Sequence, residues 1–171
     1  MPRYVALLRG VSPMNLKMPE LKRALELAGF GKVKTLLSSG NAAFDSSSRT
    51  AGAVERQVEA ALSKQLGRTF HTIVRSRDEL EEMIETNPFA RFELPPDAKP
   101  VVTFARKLPA PKQKLPIEKD GARILASDDR HVFSAYVPNG LGPVFMQLIE
   151  RNFGSDLTTR TWETVKKCAK A

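Results

Sequence analysis

The order of patterned segments constrains this chain more than any single residue does. Apolar alternation and helical periodicity follow one another over residues 1–87 as strand, helix, strand, strand, helix, strand, helix. A first strand covers about residues 3–9. Pro19 suits the first helical position, Met18, Leu21, Leu25 and Ala28 form the apolar stripe, and Gly29 ends the helix. Strands are predicted over about residues 32–38 and 41–45. Ser46, Ser47 and Ser48 read as a loop that caps a second helix, with Val54, Val58, Ala61 and Leu62 inward and Gly67 as its stop. A fourth strand is predicted over residues 69–75. Ser76 and Glu79 then form a capping box for a helix that Asn87-Pro88 breaks.

That order carries a geometric consequence. In a split βαβ unit the first two strands are parallel and the third lies between them. The end of the first strand, Arg9-Gly10, then shares an edge with the hairpin turn Ser38-Ser39-Gly40-Asn41, although the two are far apart in sequence.

The second half repeats the theme less cleanly. Residues 88–116 hold seven of the twelve prolines and read as connector with one strand embedded, over about 101–106. Strands over 123–127 and 131–137 flank a turn at Asp128-Asp129. A helix over about 142–152 presents Leu141, Val144, Phe145, Leu148 and Ile149, and Gly154 ends it. An extended piece, 156–160, leads into a last helix over 162–170. Trp162, Val165 and Ala169 face inward there, and Lys166, Lys167 and Lys170 face water. The halves match if the poorly patterned segment 108–120 stands in for a helix. Each also closes on arginine and a hydroxyl residue before a helix, Arg75-Ser76 and Arg160-Thr161. The expected fold is therefore α+β, a tandem duplication of a ferredoxin-like βαββαβ unit (an α/β plait) packed as one compact body. Its first half is 1–87, its Pro-rich connector 88–100 and its second half 101–171. Tyr4, Ala6 and Leu8 alternate with Val5 and Leu7, so both faces of the first strand are apolar. Helices cover one face; the second half or a symmetric partner is expected on the other.

The 171 residues are 42% hydrophobic, enough for a core, and no apolar run approaches the roughly 20 residues of a membrane span. The N-terminal stretch meets Arg9 too soon for a signal peptide. The single cysteine, Cys168, excludes an intramolecular disulfide and fits a reducing compartment, so a cytoplasmic protein with no membrane partner is expected. The formal charge of +8 is unevenly placed. Residues 1–77 hold thirteen Lys or Arg against five Asp or Glu, and Asp78, Glu79, Glu81, Glu82 and Glu85 follow. Such a surface attracts phosphates and polyanions, and equally serves solubility.

Arg9, Lys17, Ser38, Ser39, Gly40 and Asn41 form the leading constellation. An arginine fork suits a phosphate or carboxylate, and donors of a glycine-containing turn complete an anion site. The competing reading makes Ser38–Asn41 a hairpin turn that needs Gly40 for positive φ. Thr158, Thr159, Arg160 and Thr161 also precede a helix start, where amides bind anions or a hydroxyl simply caps. His71 and His131 lie in no metal-ligand spacing, Asp128, Asp129 and His131 read as a turn, and Cys168 reads as packing. Nucleophile-elbow, phosphate-loop, dinucleotide-binding and C-x-x-C patterns are absent. RNA-binding plaits stack bases on aromatics of strands 1 and 3, and here those two strands offer only Tyr4 and Phe44.

Leu8-Arg9-Gly10, Lys17-Met18, Ser39-Gly40-Asn41 with Phe44, Asn87-Pro88-Phe89, and Thr158-Thr159-Arg160 with Trp162 occur in one order along the chain. In this the chain resembles the bacterial family known as domain of unknown function 1697. The resemblance implies a pair of ferredoxin-like units and brings no activity. Members often carry N-V-G-G after R-G; this chain has Val11-Ser12-Pro13-Met14-Asn15-Leu16, without glycine, leaving Arg9, Asn15 and Lys17 as the anion contacts of that loop. The functional expectation is binding of a phosphorylated or other anionic small molecule near Arg9 and the Ser38–Asn41 turn, with help from Thr159 and Arg160. An enzyme acting on that ligand and sequence-independent nucleic-acid binding are the alternatives. No cofactor is called for.

Overall fold

The computed structural model describes residues 1–138 and 144–171; Leu141 and Gly142, expected at a helix start, lie outside the described residues. The chain divides into two units, Met1–Glu85 with Lys166–Ala171, and Thr86–Val165. The last six residues, which the sequence pattern places in the second half, thus cluster with the first unit. The architecture is mixed α+β, with two antiparallel sheets and, among the described residues, five helices.

In the first unit, β1 (Arg3–Leu8) is central, because both of its faces are apolar and only an inner strand buries both. β2 (Gly31–Leu36), β3 (Asn41–Asp45) and β4 (Thr72–Ser76) complete the order β2-β3-β1-β4. Tyr4, Ala6 and Leu8 face α1 (Met18–Leu27) and α2 (Ala51–Leu66), and join Leu21, Leu25, Phe44, Val58 and Leu62 in one core cluster. Phe30 and Phe44 meet there with ring centroids 4.4 Å apart. Burying each such side chain contributes about 1.5–3 kcal/mol. The opposite face carries Val5, Leu7, Ala43, Ile73 and Arg75, all buried.

Local chemistry sets the boundaries. Thr50, rather than the three serines, caps α2, accepting from the Ala53 N–H at 3.3 Å. The Ser46 hydroxyl is spent on the Ser48 N–H and the Ser48 hydroxyl on Gln57. Thr69 does not begin β4, because its hydroxyl bonds the Glu59 carbonyl of α2. On the β4 edge, the buried Glu55 carboxylate accepts the Val74 N–H at 2.9 Å, blunting a donor that could recruit another strand. Ser76 caps α3 (Arg77–Thr86) as its pattern predicts, accepting from the Glu79 N–H.

The second unit contains β5 (Lys99–Ala105), β6 (Ile117–Lys119), β7 (Ala122–Ser127), β8 (His131–Tyr136) and β9 (Leu157–Thr161), in the order β6-β7-β8-β5-β9. β6 is the unforeseen strand. It pairs with β7 through a two-residue turn, Asp120-Gly121, at φ 48° and 85°. Positive φ at both central residues is the hairpin turn that Asp-Gly favours, a signal the surrounding prolines obscured. Among the described residues, α4 (Val144–Phe153) is the one helix that contributes to the Ile124–Val132 cluster. Leu108 and Leu115 of the proline-rich segment and Ile117 of β6 join that cluster beside the strand residues. Asn152, 1% exposed, holds the segment: its Oδ1 accepts the Gln113 N–H at 3.1 Å and its Nδ2 donates to Gln113 Oε1 at 3.3 Å. The final helix, α5, is Trp162–Lys170.

Candidate functional site

The strand order brings the end of β1 to the β2–β3 turn. The Leu8 N–H donates to the Gly40 carbonyl at 2.9 Å, and on the other side the Arg9 N–H donates to the His71 carbonyl at 2.9 Å. Gly40 has φ +88°, and a Cβ there would sit 2.9 Å from Val11 Cβ and 3.1 Å from Leu8 Cβ. Only glycine permits this approach.

Register puts side chains in rows across the sheet. Leu7 pairs with Asn41 and with Ile73, all on the face opposite the helices. Carried two positions beyond the paired strands, the same register aligns Ser39 of the turn, Arg9 and His71 in a row, and the Arg9–His71 backbone bond extends the pairing on the β4 side. Arg9 is half-buried, and among the described residues its guanidinium has no hydrogen-bond or ion-pair partner. His71 Nε2 is buried and likewise unpartnered. The sequence offered His71 only as a lone histidine. The signal that would have found it is topological, since β4 returns beside β1 and sets the residue before Thr72 against Arg9.

The other residues of the predicted site have separate tasks. Asn41 is fully buried and donates to the Leu36 carbonyl and Ser39 Oγ, both at 2.9 Å, so its amide builds the turn. Ser38 is exposed and Ser39 half-buried. Asn15 is spent on its own loop: Oδ1 accepts the Ser12 N–H at 2.9 Å and Nδ2 donates to the Gly10 carbonyl at 2.7 Å. Lys17 is exposed at the start of α1, and its backbone N–H donates to Glu20 Oε1 at 3.3 Å. A surface groove of about 430 Å³ in this unit has none of these residues in its lining.

Thr159 and Arg160 belong to the second unit. Arg160 is buried and donates to Thr158 Oγ1 and to the Thr159 carbonyl. Thr159 Oγ1 lies 2.9 Å from Thr103 Oγ1. At the helix start, Thr161 Oγ1 accepts the Thr164 N–H at 3.3 Å, which is a cap. Phe89 stands edge-on to Trp162 at 5.0 Å, so the Asn87-Pro88-Phe89 and Thr158-to-Trp162 motifs meet in packing.

The Asp128–His131 turn is structural as well. Asp128 Oδ1 accepts the N–H groups of Arg130 and His131 at 2.8 and 2.7 Å, and the His131 ring lies 3.2 Å from the carboxylate. Partial burial works to raise the Asp128 pKa, but the His131 side chain, these backbone donors and the nearby imidazole outweigh it, and the value falls from 3.8 to about 2. Among the described residues no three metal-ligating side chains cluster. Cys168 is buried. Tyr4 and Phe44 are buried in the helical core, which removes the stacking platform of RNA-binding plaits. No helix among the described residues is long and apolar enough to cross a membrane.

With this geometry in view, relatives can be set beside the chain. It matches the family described as "Protein of unknown function (DUF1697)" over residues 1–133, and it belongs to that family. A solved structure, that of the conserved bacterial protein SP0830 from Streptococcus pneumoniae, is similar to it at 18% identity with a TM-score of 0.69. The similarity covers 99% of this chain and 97% of that one, and it is a likeness of fold. No curated protein matches.

Proposed function

We propose that the protein binds an anionic small molecule, phosphorylated or carboxylate, at the row formed by Ser39, Arg9 and His71. The observation that carries this reading is the half-buried Arg9 guanidinium without a partner among the described residues, held at a strand end by backbone bonds on both sides. A guanidinium so placed is partly desolvated and uncompensated, and an anion supplies the missing charge. His71 Nε2 offers a second polar contact. Arg160 is left out of the ligand set because its donors are engaged by Thr158 and Thr159.

A second reading, an enzyme acting on the same ligand, is favoured by His71, an imidazole residue whose carbonyl bonds the Arg9 N–H and which offers an acid–base group near that arginine. For the architecture, we read each unit as a ferredoxin-like plait. The orders β2-β3-β1-β4 and β7-β8-β5-β9 correspond strand for strand and support that reading. We place the protein in the cytoplasm, where its one thiol stays reduced.

The test is a thermal-shift series with pyrophosphate, sugar phosphates, nucleotides and short oligonucleotides at low and moderate salt. A small anion is expected to raise the melting temperature in a salt-tolerant way. Arg9→Ala abolishes that shift while leaving the melting temperature of the free protein within about 2 °C. Shifts from oligonucleotides alone, lost with salt, assign the role to the basic surface of residues 1–77 instead. An Arg9→Ala protein that unfolds makes the arginine structural and ends the proposal.

A further inference from the structure

At the opposite end of the first sheet, where α1 ends and β3 runs into α2, a groove of about 430 Å³ opens on the surface. Its size lies in the range of small-molecule sites. The spacing of α2 makes it: Gln57, Ala60, Ala61 and Lys64 fall on one helix face, and the two alanines leave the space between two polar side chains. Phe30, 8% exposed, and Ala61, 5% exposed, give it an apolar floor. The serine loop that forms one wall is pinned in place. Tyr4 Oη donates to the Ser48 carbonyl at 2.8 Å, and Ser48 Oγ donates to Gln57 Oε1 at 3.1 Å. That second bond occupies the carbonyl end of the Gln57 amide and leaves its Nε2 donor unspent. Lys64 is the one charged side chain in the lining, which also includes Met1 with its N-terminal ammonium, and among the described residues Lys64 has no ion-pair partner.

We infer that this groove is a second ligand site, separate from the Arg9 row, and that it takes a small amphipathic carboxylate. The carboxylate meets Lys64 and the Gln57 amide, and a short alkyl or aryl body lies against Phe30 and the alanines. The Lys64 ammonium beside an apolar floor matches that chemistry better than a phosphate, which would leave the floor bare.

The experiment is a titration of the ¹⁵N-labelled full chain with hexanoate, with hexanol and inorganic phosphate as controls. Hexanoate is expected to give saturable amide shifts confined to residues 28–30, 46–48 and 57–64, with hexanol and phosphate at least about tenfold weaker. Lys64→Gln is expected to weaken hexanoate by about tenfold, and Ala60→Trp, a substitution at an exposed position that fills the groove, to abolish it. Equal binding of hexanol, an unaffected Lys64→Gln, or no saturable shift at these residues would overturn the inference. Shifts at residues 9, 38–41 and 71 report the other site, so the two proposals fail independently.

Discussion

The two antiparallel sheets, one of four strands and one of five, are covered by different material. On the helical face of the first unit, α1 and α2 supply Leu21, Leu25, Val58 and Leu62 at helical spacing. On the corresponding face of the second, α4 supplies Leu148, Ile149 and Phe153, and Leu108, Leu115 and Ile117 come from the proline-rich segment and the short β6. A helix satisfies its own backbone and needs only an apolar stripe. An irregular segment leaves backbone donors that something else must meet, and Asn152 does this for Gln113. The first unit therefore rests on apolar packing, and the second on packing plus a buried polar anchor.

Truncations test that contrast at its largest. Phe44→Ala is expected to cost about 3–5 kcal/mol in chemical denaturation, because Phe44 is fully buried between helices and sheet. Phe153→Ala is expected to cost less, since an adjacent loop can settle into the space; an equal cost would make the segment as rigid as a helix. Asn152→Ala is expected to cost about 1–3 kcal/mol by stranding the Gln113 N–H, and to speed hydrogen exchange across residues 108–117. No change in exchange there would remove the anchor from the account. Thr50→Ala is expected to cost about 1 kcal/mol, with Ser48→Ala costing less, because Thr50 is the cap of α2.

The smallest effect concerns acid. The folded pKa of Asp128, about 2, lies below its ordinary value of 3.8, so its stabilisation is present above pH 3.8 and is lost as pH falls toward 2. The carboxylate is half-exposed, and solvent screening holds this to under about 1 kcal/mol. Asp128→Asn should flatten that limb of the pH–stability curve. An unchanged curve would mean that the turn does not feel the charge.

The sequence shows clearly the elements whose stops and caps are local. Gly67 in the left-handed region and the Ser76 cap fall where their residue types predict. Features that depend on competition between neighbours were hidden. Three serines read as a cap, but the Ser46 hydroxyl accepts the Ser48 N–H and the Ser48 hydroxyl bonds Gln57, leaving Thr50 the task. Asp120-Gly121 is a readable hairpin signal set close after a run of prolines, which masks β6 in the pattern. For the candidate site, strand topology alone brought Arg9 to Gly40. It could not show that Asn41 spends its amide on the turn, or that His71 closes the row. By sequence Arg160 reads as a cation before a helix, and its burial beside Thr158 follows from packing that no local pattern reports.

The most direct test of the anion site is an amide titration of the ¹⁵N-labelled protein with inorganic pyrophosphate at low and moderate salt. Saturable shifts at residues 8–10, 38–41 and 71–72, retained at moderate salt and absent in Arg9→Ala, are the predicted result. Shifts scattered over the basic surface that vanish with salt, or an Arg9→Ala protein that responds as the wild type does, would contradict it.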